Sequence, residues 1–188
     1  MSSSPVARSI SPTQRLGKRS VSIFGSTGSI GVNTLDLISA APEKFTVEVL
    51  SANENVTLLA AQARQFGAKR AVIANEAKYA ELKLLLSGSA IEAAAGRDAL
   101  IEAASCKVDW VMLGIVGAAG LAPTLAAVKT GAIIAIANKE ALVCGGDLVL
   151  ADVKKYGATL LPVDSEHNAI FQVLDFDKIN KVERLVLT

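Results

Sequence analysis

The sequence predicts an α/β protein with a doubly wound, mostly parallel sheet. Three observations predict it. Strand-like and helix-like segments alternate from residue 20 onward, the pattern of parallel strands joined by helical crossovers. The composition is 51% hydrophobic and only 4% aromatic, as expected of Ala-, Val-, Ile- and Leu-rich strands buried on both faces. Finally, Val21-Ser22-Ile23-Phe24 runs straight into Gly25-Ser26-Thr27-Gly28-Ser29-Ile30-Gly31. A strand, a glycine turn and a helix in that order open a Rossmann-like dinucleotide-binding fold. The first glycine permits the tight turn, the second lets bare backbone approach a pyrophosphate, and the third lets the helix lie against the strand. The helix N-terminus then offers unpaired N–H groups to the phosphates.

The elements follow in order. Residues 1–19 carry Arg8, Arg15, Lys18 and Arg19, several serines, two prolines and no acid. They read as a disordered tail, with a plastid-type transit peptide as the alternative, which the lack of an apolar face disfavours. Strand 20–24 leads into helix 29–40, where Ile30, Leu35 and Ile38 fall at helical spacing and Pro42 closes the pattern. Strand 46–51 and helix 56–66 come next, ended by Gly67. Strand 70–74, helix 76–86, strand 90–94 and helix 97–105 follow, the fourth strand having the weakest signal. Strand 108–114 precedes helix 121–130, ended by Gly131; strand 132–137 precedes helix 140–156, ended by Gly157. Strand 158–163, helix 166–174 and strand 182–187 complete the pattern.

Bulk properties exclude several classes. A net charge of +1 offers no polyelectrolyte footprint, so nucleic acid is not an expected partner. No apolar run reaches the roughly 18 residues that cross a bilayer. Cys106 and Cys144 have neither metal-ligand spacing nor a disulfide framework, which fits a reducing compartment.

In open α/β sheets ligands bind beyond the carboxyl ends of the strands, so those ends supply the candidate residues. Lys139 begins a helix, where a cation opposes the macrodipole at about 0.3–1 kcal/mol. A nearby anionic ligand would offset that cost, and a lysine reaching to solvent is the alternative. Asp164 and Glu166 follow strand 158–163. Two such carboxylates suit a hard divalent cation, while the same residues equally suit an N-cap and an acidic first turn. His167, the only histidine, reads as structural. Tyr79 and Lys83 have YxxxK spacing but occur too early in the fold for a catalytic pair, so they read as a solvated helix face. Cys144 lacks a local base and reads as a buried thiol.

Five blocks together, GSTGSIG (25–31), NENV (53–56), IVGAAGLAPTLAA (115–127), ANKEALV (137–143) and LPVDSEHNAIFQ (161–172), resemble the 1-deoxy-D-xylulose 5-phosphate reductoisomerase family from about residue 20 onward. That resemblance implies metal-assisted isomerisation and NADPH-dependent reduction of a phosphorylated sugar, yielding 2-C-methyl-D-erythritol 4-phosphate for non-mevalonate isoprenoid synthesis. It implies that Thr27, Gly28, Ser29 and Ile30 cradle the cofactor pyrophosphate. Asn55 would lie by the adenosine ribose, and Asn138 and Glu140 by the nicotinamide. Lys139 and Ser165 would contact substrate, and Asp164 and Glu166 would bind Mg²⁺ or Mn²⁺, with Co²⁺ a further candidate. A cytoplasmic bacterial homodimer is the implied parent. Two departures accompany the resemblance. Family members often carry a glycine and a basic residue where this chain has Asn53 and Glu54, and an acid there would repel a 2′-phosphate. The family also continues past the position of Thr188 with a further metal-ligating glutamate, substrate-phosphate residues, a flap and a helical domain. The resemblance therefore implies that residues 20–164 are the dinucleotide-binding domain and residues 165–188 the truncated start of a second, α+β catalytic domain, and residues 1–188 alone are expected to be inactive. A nucleotide-binding module and another NAD(P)-dependent sugar oxidoreductase are the competing readings. A sugar-nucleotide epimerase would need a late tyrosine–lysine pair.

Overall fold

The computed structural model describes residues 17–137 and 139–186. Among the described residues seven strands form one sheet: β1 (Arg19–Phe24), β2 (Phe45–Ala52), β3 (Arg70–Ile73), β4 (Glu92–Ala95), β5 (Trp110–Leu113), β6 (Ile133–Ile136) and β7 (Thr159–Pro162). All pairings are parallel, in the order β4-β3-β2-β1-β5-β6-β7. Seven α-helices among the same residues follow the strands in turn: α1 (Ser29–Ser39), α2 (Val56–Gln65), α3 (Tyr79–Leu85), α4 (Gly96–Ala104), α5 (Leu121–Val128), α6 (Lys139–Tyr156) and α7 (Ser165–Val173).

Both sheet faces are covered. Val21, Ile23, Leu50, Ile73 and Leu82 pack on one side with Leu35 and Leu59. Phe24, Val49, Val72, Val111 and Ile134 pack on the other with Val128 and Val149. The apolar runs of β3, β5 and β6 are the consequence, since both faces of these strands are covered. One irregularity occurs where the register of β1 on β2 jumps from Val21↔Val47 to Ser22↔Val49. The skipped residue, Glu48, turns outward to an ion pair with Lys69 at 2.8 Å. The carboxylate of a residue within β2 is thereby kept out of the core.

The chain builds outward from β1 to β4, then returns to place β5 on the other flank of β1. Between β1 and β5 the winding reverses, and the crevice above such a point is where doubly wound folds bind ligands.

The first seven expected strands and all seven expected helices are present. Gly67, Gly131 and Gly157 follow their helices at φ +60°, +75° and +70°, the left-handed region that glycine adopts freely. Helix 76–86 divides into a 3₁₀ turn, Glu76–Lys78, and α3, because Asn75 Oδ1 accepts from Ala77 N at 3.0 Å and tightens the entry. Strand 182–187 is a correction. Residues 182–186 follow a 3₁₀ segment (Phe176–Lys181) and pair with no strand; Thr188 and Leu187 lie outside the described residues. Val182, Leu185 and Val186 are 41%, 58% and 72% exposed. Strand-like composition cannot make a strand without a neighbour. Cys144 is a second correction: it is exposed. It precedes a kink at Gly145 (φ −143°, ψ 24°), where Leu121 of α5 fills the space a side chain would need. The tail assignment for residues 1–16 lies outside the described residues.

Candidate functional site

Gly25 ends β1 at φ +87°, and a Cβ there would come within 2.7 Å of Gly114 O at the end of β5. Gly114 N donates to Phe24 O at 2.8 Å, so the two loops meet backbone to backbone at the reversal of winding. The turn closes through Gly28 N donating to Gly25 O at 3.1 Å, and Val32 N makes the first helical bond, to Gly28 O at 2.9 Å. The N–H groups of Ser29, Ile30 and Gly31 precede that bond, and no side chain caps the helix at Gly28. An exposed, uncapped helix N-terminus at this place fits an anionic phosphate group. Gly28 is exposed, and a Cβ on it would make only ordinary contact, 3.4 Å from Gly25 O. Gly31 differs: its Cβ would overlap Gly25 O and Ser26 Cα. The third glycine therefore seats α1 on its own turn rather than on the strand.

Two polar partners of this turn escape a sequence reading. Gly25 N and Ser26 N both donate to Ser51 O of β2, at 3.1 and 2.8 Å. Ser26 Oγ donates to Gln62 Oε1 at 2.8 Å, and Gln62 Nε2 donates to Ser26 O at 3.0 Å. The available signal was a glutamine among the buried Leu59, Ala60 and Ala63 of α2.

Beyond β2, Asn53, Glu54 and Asn55 are exposed. Asn55 caps α2, its Oδ1 accepting from Leu58 N at 3.1 Å. Asn75 Nδ2 donates to Glu54 Oε1 at 3.0 Å, so the acid is held at the joint ends of β2 and β3. Beyond β5, Gly117 lies at φ +75°, and Thr124 Oγ1 donates to Gly120 O at 2.7 Å to brace the loop.

Beyond β6, Lys139 is the first residue of α6, with Glu140 in its first turn, and both are exposed. Asn138 lies outside the described residues. Beyond β7, Asp164 caps α7: its Oδ1 accepts from His167 N at 2.9 Å and pairs with His167 Nδ1 at 2.6 Å. Partial burial raises the Asp164 pKa, but these two bonds from His167 outweigh it and hold the carboxyl below its ordinary value. Ser165 and Glu166 are exposed in the same turn. The capping reading of Asp164 is thus realised. Two carboxylates offer the hard oxygen donors a divalent cation takes, and fewer of them than such a cation needs. Among the described residues no three His, Cys, Asp or Glu side chains group as a metal site.

The parallel order places all these strand ends on one edge. From β2 to β7 are four strand intervals, about 19 Å. Two surface hollows, of ≈ 540 and ≈ 360 Å³, lie elsewhere, one lined by Arg64, Lys69 and Ile91, the other by Ile38, Phe45 and Phe66. Neither touches the candidate residues. Tyr79 is exposed on α3 with Lys83 Nζ 6.0 Å from its ring centroid, a pair on one solvated face. Among the described residues no helix is long and apolar enough to cross a membrane.

Residues 21–146 match the family model described as 1-deoxy-D-xylulose 5-phosphate reductoisomerase. The enzyme of that name from Rhodospirillum centenum is 58% identical over 172 residues, covering 92% of this chain and 43% of the relative. The one from Rhizobium etli strain CIAT 652 is 55% identical over 178 residues, covering 94% and 45%. The reductoisomerase from Zymomonas mobilis, solved in complex with NADPH, superposes with a TM-score of 0.84 at 52% identity, covering 86% of this chain and 42% of that one. A further structure, in complex with NADPH, fosmidomycin and magnesium, gives 0.81 at 43% identity over 85% and 40%. The chain spans less than half the length of these relatives. Biliverdin reductase from Synechocystis, at 17% identity and a TM-score of 0.51, shares the fold alone.

Proposed function

We infer the function from one premise: the chain belongs to the 1-deoxy-D-xylulose 5-phosphate reductoisomerase family. We propose that residues 20–164 are the NADPH-binding domain of such an enzyme and residues 165–188 the opening of its catalytic domain. The parent acts on 1-deoxy-D-xylulose 5-phosphate in the cytoplasm, as a homodimer. The observation that carries this reading is the contact of the glycine loops after β1 and β5 beneath an uncapped helix N-terminus.

The N–H groups of the turn and of Ser29 and Ile30 hold the pyrophosphate, with Thr27 beside it, and Gly28 keeps the approach bare. Asn55 stands by the adenosine ribose; Asn138 and Glu140 line the nicotinamide end. Lys139 orients the substrate's hydroxyl oxygens, its charge at a helix N-terminus being offset by an anionic ligand. Ser165 faces the substrate, and Asp164 and Glu166 hold the divalent cation, Mg²⁺ or Mn²⁺. When bound, NADPH supplies a hydride and the cation supplies Lewis-acid stabilisation of negative charge on the substrate's oxygens. Titration of the chain with NADPH, followed by nicotinamide fluorescence and calorimetry, tests the reading. Saturable binding, competed by 2′-phospho-ADP-ribose, is expected; absence of binding overturns it.

A further inference from the structure

We propose that Gln62 is a positioning residue for the dinucleotide, holding the peptide of Ser26 so that the turn after it meets the pyrophosphate. The proposal rests on the cofactor reading above. Ser26 follows Gly25 directly, and its polar groups are all committed. Its N–H donates to Ser51 O at 2.8 Å, its hydroxyl donates to Gln62 Oε1 at 2.8 Å, and its carbonyl accepts from Gln62 Nε2 at 3.0 Å. The last two bonds close a reciprocal ring around one carboxamide. They also fix its orientation, since the reversed amide would press Oε1 against the Ser26 carbonyl oxygen.

Ser26 is 0% and Gln62 6% exposed. Gln62 therefore acts from beneath the turn, through Ser26. Without water to replace it, loss of the carboxamide leaves a buried hydroxyl and a buried carbonyl unpaired. Relaxation of that strain rotates the Ser26 peptide, and with it the N–H groups that follow.

Gln62 also fixes α2 relative to the turn. It lies seven residues after Asn55, about 10.5 Å along the helix axis, and Asn55 caps that helix beside Glu54. One side chain thus sets the spacing between the phosphate end and the ribose end of the candidate site. A helix–turn staple with no bearing on the ligand is the competing account, and it makes a different prediction.

The test measures dissociation constants of the 188-residue chain for NADPH and for 2′-AMP, which lacks the pyrophosphate. Measurements are made at temperatures where each variant keeps its native circular dichroism. Gln62→Leu keeps the bulk and removes both bonds. Gln62→Glu keeps the acceptor for Ser26 Oγ and removes the donor to Ser26 O. Ser26→Ala removes the hydroxyl alone. We expect Gln62→Leu to weaken NADPH about tenfold and to change 2′-AMP less than about twofold. The other two should shift in the same direction, by less. Equal weakening of both ligands, or unchanged NADPH affinity with only a lower Tm, overturns the proposal. If Gln62→Leu does not fold, Gln62→Glu and Ser26→Ala carry the same comparison. An unaltered chain that fails to bind NADPH overturns the cofactor reading and this proposal together, and is distinguishable because no variant is involved.

Discussion

Gly28→Val separates ligand binding from folding at one atom. Gly28 sits at φ −80° and ψ 168°, extended backbone that valine adopts without strain. A Cβ there meets Gly25 O at 3.4 Å, an ordinary contact, and the residue is exposed. The fold therefore loses little: valine is a poorer N-cap than glycine by about 0.5–1 kcal/mol, or roughly 1–4 °C in Tm for a chain of this size. Binding loses much more. The branched side chain stands where the phosphates must approach the N–H groups of Ser29 and Ile30. Losing two charge-assisted hydrogen bonds at about 1.5–3 kcal/mol each removes at least a hundredfold in affinity, about 2.7 kcal/mol or more. Gly31→Ala supplies the contrast, because its methyl overlaps Gly25 O and Ser26 Cα and strains the turn itself. Paired thermal melts and NADPH titrations read both quantities. Gly28→Val that binds NADPH normally refutes the placement of the phosphates. Gly28→Val that unfolds refutes the argument that the space above it is free.

Three further outcomes follow from the same geometry. Glu54→Lys replaces repulsion of a 2′-phosphate with attraction, so the NADPH/NADH affinity ratio should rise by about tenfold at low salt; an unchanged ratio would place the adenosine ribose away from the Glu54–Asn75 pair. Residues 1–188 on their own should bind NADPH yet show no NADPH oxidation with 1-deoxy-D-xylulose 5-phosphate and Mn²⁺, since the strand-end edge offers only part of the near-attack geometry; measurable turnover would show that the essential residues are all within this chain. In a protein carrying the remainder of the catalytic domain, Asp164→Asn should leave Tm within about 1 °C, because asparagine caps as well as aspartate, and should abolish metal-dependent turnover; Asp164→Ala should lose both. Intact turnover in Asp164→Asn would leave the residue with its cap role alone.

The legible and illegible parts of this chain divide by sequence range. The glycine turn was readable because much of what it requires is local: Gly25 has a positive φ, and Gly31 needs bare space against Gly25 and Ser26, six and five residues before it. The Ser26–Gln62 ring was not, because it joins residues 36 apart that neither periodicity nor spacing brings together. Strand 182–187 failed for a related reason: its side chains suit a strand, and pairing depends on an edge that composition does not report. Cys144 was misplaced because a free thiol is usually buried, whereas the buried positions of α6, Ala141, Gly145, Val149 and Val153, recur every four residues and leave Cys144 off that face.

The ambiguity at Asp164 has a different origin. Three proposed ligand residues, Gly28, Asn55 and Asp164, are also the N-caps of α1, α2 and α7. Parallel strands put every helix N-terminus on the edge where ligands bind, so capping and ligation call on the same positions. The two roles need different atoms. Asp164 gives Oδ1 to His167, and a cation asks for the negative charge of the carboxylate and an oxygen beyond the one used in the cap. A residue at this edge can thus fix its helix and serve a ligand together, and the uncharged isostere divides one role from the other.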